Sequence, residues 1–338
     1  MKRIKGIDTL RFVMAVWVVL YHFTIVPLPG AFGSHGGPAT LVRYLYNNFF
    51  CGPAAVIVFF VISGFCIHYP FRDATRLDLL SFYSRRQVRI LIPVAVAVAL
   101  APAVNEPILD MNQSVLWSLV CEEVYYAIYP LLLVARQRWG WRWLVVFGFL
   151  AALAVAMTSP REIDYQRFGW LNWVLGLPCW LMGAALAERI DGALASKRTI
   201  STPAIWAWRG AVVAVTWVCG LARHAGLGYA WTLNPFAILA TLWLEREIVR
   251  AERLPLGRLE RAGAFSYSIY LVHGHAELFW LRFLHRLPEP VDSLFRNAFI
   301  FGVSYVFYLA VERPAHRLAR RIHAGVMARY RQPRPASF

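Results

Sequence analysis

Ten apolar runs follow one another along this 338-residue chain, at about residues 8–27, 49–68, 88–104, 115–135, 141–158, 170–188, 205–222, 229–245, 263–284 and 294–312. A bilayer core of about 30 Å takes about 20 residues of helix to cross. The runs therefore predict an all-α, polytopic membrane bundle of about ten transmembrane helices. The third and eighth runs are short or broken by Pro or Gly, and the fifth is near the lower limit of length. Composition points the same way. Only 16% of residues are charged and 59% are hydrophobic, against about 25% charged in soluble domains. The 14 Trp and 15 Tyr suit the many helix ends that such a bundle places at membrane–water interfaces.

The chain carries a formal charge of +16. In a soluble protein that would suggest nucleic acid, but here long apolar runs separate the basic residues, and no nucleic-acid partner is expected. The charges instead set orientation. With the N-terminus in the cytoplasm, 27 Lys and Arg fall in inner segments and 7 in outer ones, with Arg11 inside the first run. This split obeys the positive-inside rule with both termini cytoplasmic. The expected location is the cytoplasmic (inner) membrane, with the lipid bilayer as partner and the oligomeric state left open. The first run could be read as a signal peptide, but it is longer than an ordinary one and holds Arg11 and His22. Residues 1–316 read as one transmembrane domain and 317–338 as a basic tail suited to anionic lipid. The five cysteines lie in or beside apolar runs with no CxxC pair, so neither a zinc site nor a disulfide framework is expected.

Charge is costly in hydrocarbon, so ionisable residues within runs are candidate functional groups. Asp8, Arg11 and His22 share one face of the first helix; eleven residues place His22 about 20° from Arg11 in projection and about 16 Å further along the axis. An imidazole can take a proton from a hydroxyl, or can serve as a structural hydrogen-bonding group. Glu122 and Glu123 lie in the fourth run, about 100° apart on a helix, with Tyr126 one turn on; one carboxylate can orient His22 or hold Arg11. In the ninth run Ser266, Tyr270, His273 and Glu277 share a stripe that lines a polar cavity or a packing seam. Arg85, Arg86 and Arg89 lead into the third run and suit phosphate recognition or topology alone.

Taken in order, these residues resemble the acyltransferase-3 family of integral membrane acyltransferases. Gly6-Ile-Asp8-Thr-Leu-Arg11 and Tyr21-His22-Phe23 are similar to the family's Arg, ten residues, His pattern. Phe59-Phe60-Val-Ile-Ser63-Gly64-Phe65, Arg85-Arg86 through Arg89 to Pro93, Trp117-Ser118-Leu119 with Glu122-Glu123 to Pro130, Ser266 through His273, and Glu312-Arg313-Pro314 follow. The match departs at Phe12, where glycine often follows the arginine, and at Val120, Cys121 and Val124, where Ser, Val and Gln are usual.

The resemblance implies transfer of an acyl group, often acetyl, from cytoplasmic acyl-CoA to a hydroxyl of a surface glycan, lipid precursor or small molecule. It implies catalytic roles for His22 and Arg11, and donor handling by Arg85 and Arg86. The expected scheme has His22 as general base with Glu122 or Glu123 orienting it, Arg11 holding the donor or steadying the oxyanion, and acyl-CoA, without a metal, as the only cofactor-like requirement. Asp8, Ser63, Tyr126, Tyr270, His273 and Arg89 are expected to line the substrate cavity. A variant passes the acyl group through His22 itself. The rival class is a proton-coupled transporter or flippase, which also uses buried His, Arg and Glu; no two-half repeat supports it.

Overall fold

The computed structural model describes residues 4–23, 38–74, 77–112, 114–196, 199–255, 257–289 and 291–331. Twelve α-helices are found among them: α1 (Ile7–Phe23), α2 (Pro38–Asn47), α3 (Gly52–His68), α4 (Leu79–Val104), α5 (Leu116–Thr158), α6 (Asn172–Ala195), α7 (Thr202–His224), α8 (Tyr229–Glu252), α9 (Arg258–Ala262), α10 (Ser266–Phe283), α11 (Val291–Phe307) and α12 (Arg313–Arg331). No strand occurs among the described residues. Every apolar run lies mainly in helix; residues 49–51 precede α3, and residues 24–27 of the first run lie outside the described residues.

Six helical stretches have by themselves the length and apolarity of a span: 52–71, 79–104, 116–158, 165–195, 202–224 and 291–324. α1, α8 and α10 fall outside that group because α1 is only 17 residues long and the other two carry buried or paired charges. α10 alone holds His273, His275 and Glu277. Two of these three helices, α1 and α10, carry the candidate histidines. The bundle's outward faces bear Leu131, Val134, Phe147, Leu150, Leu153 and Met157, all exposed. In water they would form an apolar patch; in a bilayer they meet acyl chains.

α5 is 43 residues long, about 65 Å of helix if straight, twice a bilayer core. It is not straight. Gly140 sits at φ 72°, ψ 161°, a conformation essentially confined to glycine. Contacts with α6 show what happens there. Before Gly140 the two helices run in the same sense: Cys121 meets Asn172, Tyr125 donates to the Trp173 carbonyl, and Arg136 pairs with Glu188 at 3.0 Å. After it they run oppositely: the Trp141 indole donates to Glu188 at 2.9 Å, and Gly148 packs on Leu181 and Pro178. The chain reverses at Gly140, and the fourth and fifth runs are two passes, as expected from sequence.

α6 also packs closely on α3. A Cβ on Gly64 would run into the Trp180 carbonyl, and one on Gly183 into the Val61 carbonyl. Small residues at such crossings let membrane helices approach backbone to backbone. His68 ends α3 in a buried network: Tyr129 at 2.9 Å on Nδ1 and Glu188 at 2.7 Å on Nε2.

Three elements differ from the sequence reading. α4 starts at Leu79, nine residues before the apolar run, because Asp78 caps it by accepting from the Ser81 amide at 3.2 Å. Arg85, Arg86 and Arg89 therefore stand on a helix. α2 occupies a stretch read as loop. Beyond residue 316 the chain continues as α12, joined to α11 through a π-helical turn at Tyr308–Glu312. α12 packs along α4, where Ser81 Oγ lies 2.8 Å from His323 Nδ1.

Candidate active site

Two helices that carry candidate histidines are anchored in the same way. The first four amides of a helix lack intrahelical acceptors. In α1, Glu260 of α9 takes that place, accepting from the amides of Gly6 and Thr9 at 3.2 and 3.0 Å and from the Thr9 hydroxyl at 2.7 Å. In α10, Glu312 of the π-helical turn accepts from the Ser268 amide at 3.2 Å and its hydroxyl at 2.5 Å. Both carboxylates are buried and sit where the helix dipole favours negative charge. Sequence reasoning missed both as anchors, although Glu312 stood in a quoted motif. Glu312→Ala leaves an uncapped amide and a hydroxyl in the interior, and we expect a loss of about 1–3 kcal/mol. Thermal unfolding in detergent should show a clear fall in midpoint for Glu312→Ala and a smaller one for Glu312→Gln.

From those anchors the two helices run side by side. Phe12 packs edge-on against Phe265, the residue just before α10, with centroids 5.7 Å apart. Further along, the His22 and His273 rings lie 5.2 Å apart at 34°. His22 is exposed and is flanked by Tyr21 and Phe23. His273 is buried, its Nδ1 lying 3.1 and 2.9 Å from the carbonyls of Ile269 and Tyr270. Carbonyls accept only, so Nδ1 carries the proton and Nε2 keeps its lone pair.

A polar stripe leads from this pair toward the arginine-rich end. The Tyr270 hydroxyl lies 2.6 Å from Ser118 Oγ. Ser118, Glu122 and Tyr126 follow at four-residue spacing on α5, one face of the helix. Glu122 accepts from Ser63 at 2.5 Å and also from Tyr126; Ser63 takes an indole N–H from Trp180 at 3.3 Å. Asp8, Cys66, Tyr126 and Glu122 act at electrostatic range on the Arg11 guanidinium, which is also 3.9 Å from Asp8. Glu123 points elsewhere. Its Oε2 accepts from Gln87 at 2.6 Å, while its buried Oε1 has no partner among the described residues.

The structure thus brings together Asp8, Arg11, Ser63, Glu122 and Tyr126 at one level, and His22, Tyr270 and His273 at another. It corrects one expected pairing. Glu122 is held by Ser63 and Tyr126, and Glu123 by Gln87, so neither carboxylate orients His22; the ring beside it is His273. The reason is axial: Arg11 and Glu122 share a level, and His22 stands about 16 Å beyond Arg11.

At the arginine-rich end, the Arg86 guanidinium lies 3.9 Å from the centroid of Phe82 and 5.7 Å from that of Phe71, and donates to the Phe82 carbonyl. Its plane is fixed by two aromatic faces and a backbone carbonyl, neutral groups that leave its charge to offer an anion. Arg85 is half-buried beside it, and Arg89 is exposed one turn on. No group of three or more His, Cys, Asp and Glu able to hold a metal occurs among the described residues.

Residues 4–311 match the family model described as an acyltransferase domain. The chain belongs to the acyltransferase-3 family. It is similar to nodulation protein 10 of Rhizobium leguminosarum bv. viciae, with 29% identity over 218 residues, 60% of this chain and 55% of that protein. The chain thus spans about half the length of this curated relative. No solved structure matches. Within the acyltransferase-3 family the order of motifs now has a spatial meaning: the Arg-to-His helix, the Ser63 helix, the double-glutamate helix and the Ser266–His273 helix all contribute to one polar lining.

Proposed function

We propose that this multi-pass membrane acyltransferase moves an acyl group, acetyl in the simplest case, from acyl-CoA to a hydroxyl of a glycan or related lipid-linked acceptor. The observation that carries the reading is the run of polar side chains between the arginine-rich end and the His22–His273 pair. We assign the arginine-rich end, with both chain termini, to the cytoplasm, and the membrane to the cytoplasmic one.

Donor phosphates sit against Arg86, with Arg85 and Arg89 beside it, by charge-assisted hydrogen bonds. The thioester arm follows the stripe past Arg11, Glu122 and Tyr126. His22 takes the proton of the acceptor hydroxyl through a ring nitrogen, the hydroxyl oxygen bonds to the thioester carbonyl carbon, and the C–S bond breaks to release the CoA thiolate. The proton on His22 is returned to solvent or to that thiolate. His273, its Nδ1–H donated to the carbonyls of Ile269 and Tyr270, positions the His22 ring. Arg11, about 16 Å from His22 along α1, lies on the donor side and holds the donor arm, not the oxyanion that forms beside His22.

The test is radiolabelled acetyl-CoA given to membranes that hold the protein. Label in glycan or lipid supports the reading; uptake of a glycan or lipid intermediate without acyl transfer supports the transporter reading instead. Arg86→Ala should raise the KM for acyl-CoA by about 10- to 100-fold, the worth of one or two charge-assisted hydrogen bonds, with kcat little changed. Steady-state kinetics against donor concentration checks this.

A further inference from the structure

A cavity lies away from the polar lining, on the other side of α1. It has a volume of about 620 Å³ and fills the wedge between α1 and α7, with α3 and α8 at its back. Thr9, Leu10, Val13 and Trp17 line it from α1, on a face about 150° from the Arg11–His22 face. Its walls are largely apolar: Ala54, Ala55 and Val58 from α3, Val212 and Val213 from α7, Trp243 from α8. Basic side chains collect at one end, at Lys5, Arg209, Arg250 and Arg258.

These cations are not equivalent. Arg209 is neutralised by Glu247 through two hydrogen bonds at 2.6 and 2.9 Å. Lys5 Nζ spends its bonds on the carbonyls of Glu252 and Leu254, and Arg250 on the Ile200 carbonyl and the Thr202 hydroxyl. Carbonyls and hydroxyls position a cation without cancelling its charge. Arg258 is exposed. The wedge thus pairs an apolar slot with a mouth where four cations outnumber two carboxylates, Glu247 on Arg209 and Glu260 on the first amides of α1. From Ile7 to Trp17 the slot follows α1 for about 15 Å, the depth of one leaflet, with Lys5 just before the helix.

We infer that this wedge is a binding site for an anionic phospholipid of the leaflet next to the arginine-rich end, with an acyl chain between α1 and α7 and the phosphate at Lys5, Arg250 and Arg258. The volume lies within the range of ligand pockets, and basic residues at the membrane surface favour anionic headgroups. The inference does not depend on the proposed reaction, since no group of the polar lining touches the wedge.

The experiment uses the full chain in phosphatidylcholine vesicles doped with phosphatidylglycerol or phosphatidylcholine bearing a diazirine in the acyl chain. After irradiation, label should concentrate in peptides covering 5–17 and 209–216, on the order of tenfold more from the anionic probe. Val213→Trp should remove that label by filling the slot. Arg258→Glu, at an exposed position that folding tolerates, should cut the anionic preference several-fold. The inference is overturned if label falls equally on the outward face of 143–157, if Arg258→Glu leaves the preference intact, or if palmitoyl-CoA displaces the probe while excess phosphatidylglycerol does not. None of these readouts involves acyl transfer, so their failure is distinct from failure of the proposed activity.

Discussion

His22→Ala is expected to lower acyl transfer by about 10²- to 10⁴-fold, the usual contribution of a positioned general base. The substitution should leave folding intact, because the ring is exposed and forms no hydrogen bond among the described residues. That combination makes the result readable: yield and unfolding midpoint near the parent, activity nearly gone. His273→Ala should cost less, since it removes the neighbour that positions the ring and not the base itself. The order of the two losses separates the roles. If His273→Ala were the more damaging with both proteins folded, the buried ring would be the proton acceptor. Quenching the parent with labelled donor alone addresses the acyl-histidine variant, which requires label on His22 before acceptor is added. Activity of His22→Ala within a fewfold of the parent would end the assignment.

The second large effect concerns assembly. Gly64→Val and Gly183→Val should each prevent the close crossing of α3 and α6, because the new side chain meets a carbonyl of the facing helix, and backbone cannot swing aside as a side chain can. Overpacking commonly costs 1–3 kcal/mol, and we expect at least about 3 kcal/mol here, since two backbones must separate along the contact. The readout is the fraction of folded protein by size-exclusion in mild detergent, expected to collapse for either variant. Gly192→Val on the same helix α6 is the control, since a Cβ there meets nothing within 4 Å. It should behave like the parent.

Much of the architecture was legible because lipid imposes a length. Each apolar run had to be a helix of about the right size, and even the division of α5 could be read from the interval that holds Arg136, Arg138 and Arg142. The ends were less legible. α4 gained its first turns from a cap at Asp78, and α8 extends through Arg246, Glu247 and Arg250 because Glu247 finds Arg209 on α7. Hydropathy is blind to such pairings.

At the site, helical spacing identified the right faces but not their neighbours. Arg11 and His22 do share a stripe, and Tyr270 and His273 do share another. Which carboxylate meets which partner depends on the relative heights of helices, and nothing within one run encodes that. The expectation that Glu122 or Glu123 orients His22 therefore failed, since Glu122 meets Ser63 and Tyr126, and Glu123 meets Gln87. Glu260 and Glu312 were overlooked as anchors because each lies near the margin of an apolar run, where a charge has an ordinary explanation. Their meaning comes from amides more than 40 residues away in sequence.

The reversal at Gly140 has a consequence for biogenesis. Both arms of α5 find polar partners on α6: Arg136 from one and Trp141 from the other converge on Glu188. Glu188 is synthesised later than either. A ribosome that has delivered α5 has thus placed a hairpin in the bilayer whose tip still lacks its counter-ion. The nascent protein must hold that loop at the surface until the next helix arrives, so a translational pause between residues 160 and 188 would prolong its most vulnerable moment.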